Sequence, residues 1–329
     1  ARLSGGDAIL LMLSVLDDEQ YLALHKVADS LNMSVLTEVS NEQEVSRALA
    51  LNASLIGINN RDLRDLSTDL ATTERLRQLI PNDKVVISES GIYTHKDVKR
   101  LAPLCDGFLI GSSLMAERDL EAACRKVILG ENKVCGLTRS QDAMAAYASG
   151  AVYGGLIFYP KSPRYVDIYC AKQVTQSAPL AYVGVFVNAP LEQVVDYAQS
   201  LKLAAVQLHG DENSEYIQSL RKQLPLGCEI WKAQAVKGEL PKPLEGVDRH
   251  LYDTYSKSQK GGTGEAFDWS VLETATVPFM LAGGLNPENI HAAIYRGANG
   301  LDLNSGVEAS AGKKCQTKLQ NAFSHIRNY

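Results

Sequence analysis

Short apolar runs of strand length, each followed by a helical pattern, recur along this chain. The rhythm restarts at Asn132-Lys133-Val134-Cys135-Gly136-Leu137-Thr138. Strands with no polar/apolar alternation are buried on both faces, and a helix after each one implies a parallel sheet covered by helices. Before the restart, strands are expected at 8–13, 34–39, 54–58, 84–88 and 107–110. Asn41-Glu42-Gln43-Glu44 reads as a capping box opening the helix after the second strand. Five such units suit either a small doubly wound sheet or part of a barrel.

From Lys133 the pattern predicts eight strands, at 133–136, 153–158, 181–186, 204–208, 228–233, 249–253, 278–282 and 300–304. Helices are expected to start near Ser140, Asp167, Pro190, Glu212, Asp268, Pro287 and Lys313. The interval 236–247 holds Pro241, Pro243 and two glycines, and reads as a loop. Eight strands with helices between them make a complete (β/α)₈ barrel, whose chemistry gathers where the strands end.

A repeat links the two segments. The second ends one strand in Leu281-Ala282-Gly283-Gly284-Leu285 and the next in Asp302-Leu303-Asn304-Ser305-Gly306-Val307. The first segment has Ile87-Ser88-Glu89-Ser90-Gly91-Ile92 and then Leu109-Ile110-Gly111-Ser112-Ser113. Glycine-bearing strand ends followed by helix starts are what a phosphate site over the last two βα loops needs, because backbone amides must approach the anion. On that alignment the first segment carries strands four to eight of a second barrel, and three strands are expected ahead of Ala1. The expected domains are therefore 1–130, a partial barrel, and 133–329, a complete one.

Composition narrows the partners. Over 329 residues the formal charge is −5, with no Lys/Arg-rich run, which argues against a nucleic-acid footprint and a membrane-surface patch. No run of 18 apolar residues occurs, and the six cysteines contain no CxxC spacing. A reducing cytoplasm fits, a zinc site or disulfide framework does not, and no cofactor signature appears.

Candidate chemistry sits at strand ends. Cys135 is either a small buried hydrophobe or, beside a positive group that depresses its pKa, a base or nucleophile. Asp253 ends its strand with no helix directly behind it. The stretch Gly261-Gly262-Thr263-Gly264 after it reads as a lid or as additional amides for an anion. Arg164, in a loop with Pro160 and Pro163, suits a carboxylate or phosphate. His209 ends the fourth strand, and Trp231 reads as core or pocket wall. In the first segment Glu38, Asn59 and Glu89 end three strands and suggest a polar catalytic mouth, with Arg61 near Asn59.

These residues resemble a bifunctional tryptophan-biosynthesis family in which indole-3-glycerol-phosphate synthase is fused ahead of phosphoribosylanthranilate isomerase. The isomerase resemblance runs from Lys133 to Tyr329 through Cys135-Gly136-Leu137-Thr138, Phe158-Tyr159-Pro160-Lys161-Ser162-Pro163-Arg164-Tyr165, Val206-Gln207-Leu208-His209-Gly210, the 261–264 glycine stretch and the two paired strand ends. It implies Cys135 as general base, Asp253 as general acid, Arg164 and His209 near the substrate, and Gly261, Gly262, Gly283, Gly284, Ser305 and Gly306 at its phosphate. The synthase resemblance spans Ala1 to about Gly130 through Leu36-Thr37-Glu38-Val39, Gly57-Ile58-Asn59-Asn60-Arg61-Asp62-Leu63 and Ser88-Glu89-Ser90-Gly91-Ile92. It implies Glu38, Asn59, Glu89 and Ser90 in a second site, Arg61 beside its substrate, and Gly91, Gly111 and Ser112 at its phosphate.

The implied reaction is the Amadori isomerisation of N-(5'-phosphoribosyl)anthranilate to the carboxyphenylamino-deoxyribulose phosphate, without metal or organic cofactor. Synthase activity, which in the family needs lysines on the strands expected ahead of Ala1, is expected to be weak or absent. The open sheet is expected to self-associate or to pair with the missing barrel segment. Two rivals remain: a phosphosugar epimerase, which needs the phosphate loops but no Cys135/Asp253 pair, and a barrel that binds phosphorylated ligands without turnover.

Overall fold

The computed structural model describes residues 1–117, 119–254 and 268–327. The chain divides into two compact units, one of Ala1–Ile128 and one starting at Leu129.

The first unit is a five-stranded parallel sheet, β1 (Ala8–Met12), β2 (Ser34–Val39), β3 (Leu55–Asn59), β4 (Val85–Glu89) and β5 (Gly107–Leu109), paired in chain order. Helices α1 (Asp18–Ser30), α2 (Glu42–Ala50), α3 (Ala71–Arg77) and α4 (His95–Leu101) connect the strands, and α5 (Ser112–Met115) and α6 (Leu120–Leu129) follow. Side chains fix the helix starts. Asp17 with Gln20, and Thr94 with Asp97, form reciprocal caps. The expected box at α2 is half formed: Asn41 accepts from the Glu44 amide, but Glu44 reaches past it to the Ser40 amide, at 2.7 Å. Strand ends are tied by a buried polar network. Asn60 donates to Ser88 and to the Glu89 and Ser90 carbonyls, and accepts from Thr73. Strands β1 and β5 are edges, and Leu10 and Leu109 stay exposed on them.

The second unit is a closed eight-stranded parallel barrel. Its strands are β6 (Lys133–Val134), β7 (Tyr153–Ile157), β8 (Ala181–Phe186), β9 (Ala205–Leu208), β10 (Glu229–Val236), β11 (Arg249–Thr254), β12 (Phe279–Leu281) and β13 (Gly300–Leu303). The ring closes where β13 meets β6, pairing Asp302 with Lys133 and Leu303 with Val134. Helices α7 (Ser140–Ser149), α8 (Ile168–Thr175), α9 (Leu191–Ser200) and α10 (Ser214–Arg221) alternate with the strands, and the Pro-rich interval after β10 forms no helix.

Three expected helices differ. The one at Asp268 is a 3₁₀ segment, Trp269–Thr274, followed by β-branched Thr276 and Val277 and then Pro278, which disfavour a further helical turn. The one at Pro287 shortens to α11 (Ile290–Ala293). At Lys313 the chain instead makes an antiparallel hairpin, β14 (Glu308–Ser310) and β15 (Lys313–Lys314), before α12 (Gln316–Ile326).

The barrel interior is packed. Tyr153, Val183, Trp231, Leu251 and Met280 are buried in it. At the N-terminal end of the strands, the Arg249 guanidinium sits 4.9 Å from the centre of the Trp231 ring and makes two bonds to Glu131, at 2.6 and 3.0 Å. Trp231 is therefore floor, and it does not line the cleft at the opposite end.

Gly300, at the start of β13, shows how tight the closure is: a Cβ there would lie 2.0 Å from the Glu131 carbonyl oxygen. Backbone cannot yield cheaply to such a clash. Gly300→Ala is expected to destabilise the barrel by about 2–3 kcal/mol or more. Both tryptophans belong to this unit, so the urea midpoint of tryptophan fluorescence measures the loss. An unchanged midpoint would contradict it.

Candidate active site

At the C-terminal ends of β6–β13 lies a cleft of about 840 Å³, counting the open space at its mouth. That is enough room for a ligand the size of a sugar phosphate bearing an aromatic ring. Cys135 and Asp253 both line it, as do Arg164, His209, Gly283 and Gly284.

Cys135 directly follows β6, its amide tied to the Leu303 carbonyl at 2.8 Å. The positive neighbour that the sequence called for is present: Lys133, on the same strand, is fully buried and donates toward the sulfur. It pulls the thiol down without bringing it below its ordinary range. Burial pushes the Cys135 thiol up, and Lys133 and Lys314 only partly offset that. Lys133 itself is held 2.7 Å from Asp302 Oδ2. Burial is the largest single influence and would strip the Lys133 charge, but Asp302 and Cys135 together outweigh it and keep the ammonium. The other oxygen of Asp302, Oδ1, is buried without a hydrogen-bond partner among the described residues.

Asp253, near the end of β11, has its carboxyl pushed up to about 6 by burial. Oδ1 accepts from the Thr254 amide at 2.7 Å, and Oδ2 lies 3.5 Å from His209 Nε2. Gly283 must be glycine: its φ is +86°, and a Cβ would sit 2.2 Å from Thr254 Oγ1 and 2.7 Å from Asp253 Oδ1.

Arg164 is buried, and its guanidinium grips Glu308 with Nε and Nη2 at 2.9 and 2.8 Å. Lys314 adds a bond to Glu308 at 2.8 Å and another to Asn304 Oδ1 at 3.0 Å. Burial alone would raise the Glu308 carboxyl, but Arg164 and Lys314 hold it below the usual range. The β14–β15 hairpin thus fixes the orientation of an arginine that comes from the loop after β7.

The expected phosphate loops lie beside each other. A Cβ on Gly306 would fall 2.0 Å from the Leu285 carbonyl, so the loops after β12 and β13 touch there. Gly284 is left-handed, with φ +64°, and Ser305 opens a short 3₁₀ turn. Gly261 and Gly262 lie outside the described residues.

In the first unit Glu38, Asn59 and Glu89 are buried together at the ends of β2, β3 and β4. The carboxyl groups of Glu38 and Glu89 lie close enough to shift one another, and Glu89 Oε1 occupies the space above Gly57 where a Cβ would be. Burial and the Glu38 charge push Glu89 up to about 7. Arg61 orients Asn59 through its backbone amide, at 2.9 Å, while its guanidinium turns to the Leu66 carbonyl. Ser90, Gly91, Gly111 and Ser112 line a separate small cleft with Arg61.

Lys133, Asp302, Glu308 and Lys314 escaped the sequence reading. The signal for the first two was a charged residue inside an apolar strand expected to be buried on both faces.

Fold and cleft together define an α/β-barrel enzyme with a carboxyl group, a thiol and glycine-bearing loops at one mouth. Residues 132–325 match the N-(5'phosphoribosyl)anthranilate (PRA) isomerase family, and residues 1–127 match the indole-3-glycerol phosphate synthase family. Tryptophan biosynthesis protein TrpCF of Vibrio cholerae is 56% identical over 330 residues, covering 100% of this chain and 70% of the relative. The TrpCF of Yersinia pestis is 54% identical over 331 residues, covering 100% of this chain and 69% of the relative. Among solved structures, phosphoribosyl anthranilate isomerase from Thermotoga maritima aligns with TM-score 0.53 at 32% identity, covering 61% of this chain and 100% of its own. A phosphoribosyl anthranilate isomerase complexed with reduced 1-(o-carboxyphenylamino)-1-deoxyribulose 5-phosphate aligns with TM-score 0.52 at 31% identity, covering 61% of this chain and 100% of its own. The chain belongs to the TrpCF family of tryptophan biosynthesis proteins.

The raised carboxyl of Glu89 makes stability of the first unit pH-dependent. A carboxyl whose folded pKa exceeds its unfolded one stabilises the fold below the unfolded value and loses that contribution as pH rises through the folded value. The window here runs from about 4.5 to about 7. Glu89→Gln is expected to remove most of this slope and to stabilise the unit at pH 8 by about 1–3 kcal/mol. Amide-exchange free energies in β2–β4 at pH 5 and pH 8 measure both; an equal slope in the two proteins would contradict the pairing.

Proposed function

We propose that this chain isomerises N-(5'-phosphoribosyl)anthranilate, with residues 133–329 as the catalytic domain, Asp253 as general acid and Cys135 as general base. The observation that carries the roles is that both groups end strands of one barrel, in one cleft, and both feel the same buried Lys133/Asp302 pair. Protonated Asp253 delivers its proton to the furanose ring oxygen while the anilino nitrogen opens the ring to an iminium. The Cys135 thiolate then takes the C2' proton, leaving an enolamine with a C2' hydroxyl. Moving that hydroxyl proton to C1' gives the ketone. Glycine-bearing loops after β12 and β13, through Gly283, Gly284, Ser305 and Gly306, receive the phosphate. Arg164, aligned by Glu308, keeps unused N–H groups for the carboxylate, and His209 steers Asp253.

The order of the two pKa values matters. Asp253 titrates near 6, and Cys135 lies above the ordinary thiol range, so the resting pair is carboxylate plus thiol. The working pair is its tautomer, with the proton on Asp253 and the charge on sulfur. That tautomer carries the same net charge as the resting pair, so moving the proton changes no total charge in the cleft. One proton on the pair is needed at either end.

Residues 1–130 form the synthase-family domain, where Glu38, Asn59, Glu89 and Ser90 make the second polar mouth. The unpaired edges at β1 and β5 support pairing with a further strand-bearing segment or a second copy. All six cysteines are free, which supports a reducing cytoplasm. No helix among the described residues is long and apolar enough to cross a membrane.

Cys135→Ser is expected to lower kcat at least roughly 10²-fold while inorganic phosphate still binds, because a hydroxyl is a far poorer base at neutral pH. Anthranilate-type fluorescence change follows turnover, and a wild-type rate would sink the assignment. The pH profile gives a second check. Below about 6 Asp253 gains its proton while Cys135 keeps its own, and no base remains. kcat/KM is therefore expected to fall with unit slope below about pH 6 and again above the thiol range. A profile flat down to pH 5 would exclude the pair.

A further inference from the structure

We propose that Lys133 is a positioning residue that acts through Cys135: held by Asp302, its ammonium supplies the counter-charge that lets the thiolate exist in the barrel. The inference rests on the reading of Cys135 as the base, but it concerns a different residue and has its own readout.

The geometry comes first. Lys133 is completely buried on a two-residue strand at the barrel seam, an expensive place for a cation unless something requires it. Its Nζ has Asp302 Oδ2 at 2.7 Å, across the pairing that closes the ring. Gly155, on the neighbouring β7, locates the other contact. A Cβ there would be 2.7 Å from Cys135 Sγ and 3.0 Å from Lys133 Cε, so sulfur and lysine share the notch that this glycine leaves open. Lys133 donates toward that sulfur.

A structural ion pair would use both partners up, and this one does not. Asp302 spends one oxygen on Lys133, and its Oδ1, in a residue that lines the cleft, is buried without a partner among the described residues. Other charges face the thiol as well. Lys314, from β15, lowers it and Asp302 raises it, while Arg164 and Glu308 largely neutralise each other behind Lys314. Asp253 is coupled to the same Asp302/Lys133 pair, and His209 stands 3.5 Å beyond Asp253. Of the charges facing the sulfur, Lys133 is the strongest attractive one.

Cys228 provides a comparison within the same protein. It shows the same 5% exposed surface but lies less deep, the cation acting on it is Arg221, and burial pushes its thiol up to about 11. If Lys133 acts as proposed, Cys135 should titrate below Cys228 although it lies deeper.

The experiment is peptide-resolved alkylation by iodoacetamide across pH 6–11 on the full chain, reading the pH midpoint of each cysteine. In the wild type, Cys135 is expected to have a midpoint below that of Cys228; an equal or higher midpoint overturns the proposal without any variant. Lys133→Met is expected to raise the Cys135 midpoint by at least about one unit and to slow its alkylation near neutral pH about tenfold. Asp302→Asn is expected to move it the opposite way, since the lysine is left with sulfur as its main counter-charge. The double variant Lys133→Met/Asp302→Leu, with the charges replaced by apolar packing, is expected to fold and to show a raised midpoint. A merely structural role would not give shifts of opposite sign. Lys133→Met should also lower kcat about 10²-fold with KM and inorganic phosphate binding within about threefold. Unchanged midpoints in Lys133→Met, or upward shifts in both single variants, overturn the proposal. Full activity in Cys135→Ser would instead remove Cys135 as the base and leave the midpoint result standing.

Discussion

The ion pair between Lys133 and Asp302 is the contact on which the barrel and its cleft both depend. It joins the first strand to the last, so the ring closes over a fully buried cation and a nearly buried anion. Breaking such a pair by removing one partner leaves an uncompensated buried charge and typically costs several kcal/mol, whereas replacing both is far milder. The pair stands one residue from Asp302's neighbour Leu303, whose carbonyl receives the Cys135 amide. Barrel closure and placement of the thiol are therefore one event. The same charges then reach Asp253 on β11, so Asp253 and Cys135 respond to a common field.

Much of the fold could be read from the sequence because its signals are local. Continuous apolar runs marked all thirteen strands of the two parallel sheets, and the glycine pairs marked the loops after β4, β5, β12 and β13. Cys135 and Asp253 stood out because each ends such a run. Lys133 and Asp302 did not, since they are 169 residues apart and each looks like a stray charge until the ring closes. Glu308 and Lys314 were hidden for a related reason. They act on Arg164 through a hairpin whose strands are only three and two residues long, too short to leave a periodic trace. Glu44 was read one residue short, because a glutamate can reach either the cap residue or the one before it.

The two units handle buried acids differently. In the barrel two of the buried carboxylates near the thiol each have a cation: Asp302 has Lys133, and Glu308 has Arg164 and Lys314. Away from the thiol, Glu212 has Lys232 at 2.7 Å, and this pair also ties the Asn188 and Gly210 amides. In the first unit Glu38 and Glu89 have each other, and a shared proton does what a lysine does in the barrel. The first arrangement keeps charge over a wide pH range; the second exchanges charge for protons near neutrality.

The stacked Arg249, Trp231 and Tyr153 at the base of the barrel have a consequence for traffic. Rings and a doubly held guanidinium fill that end, so among the described residues the cleft at the opposite end is the opening. Ligand, displaced water and every proton exchanged with solvent must share that doorway. While a ligand fills it, the interior is screened from bulk water until that ligand departs.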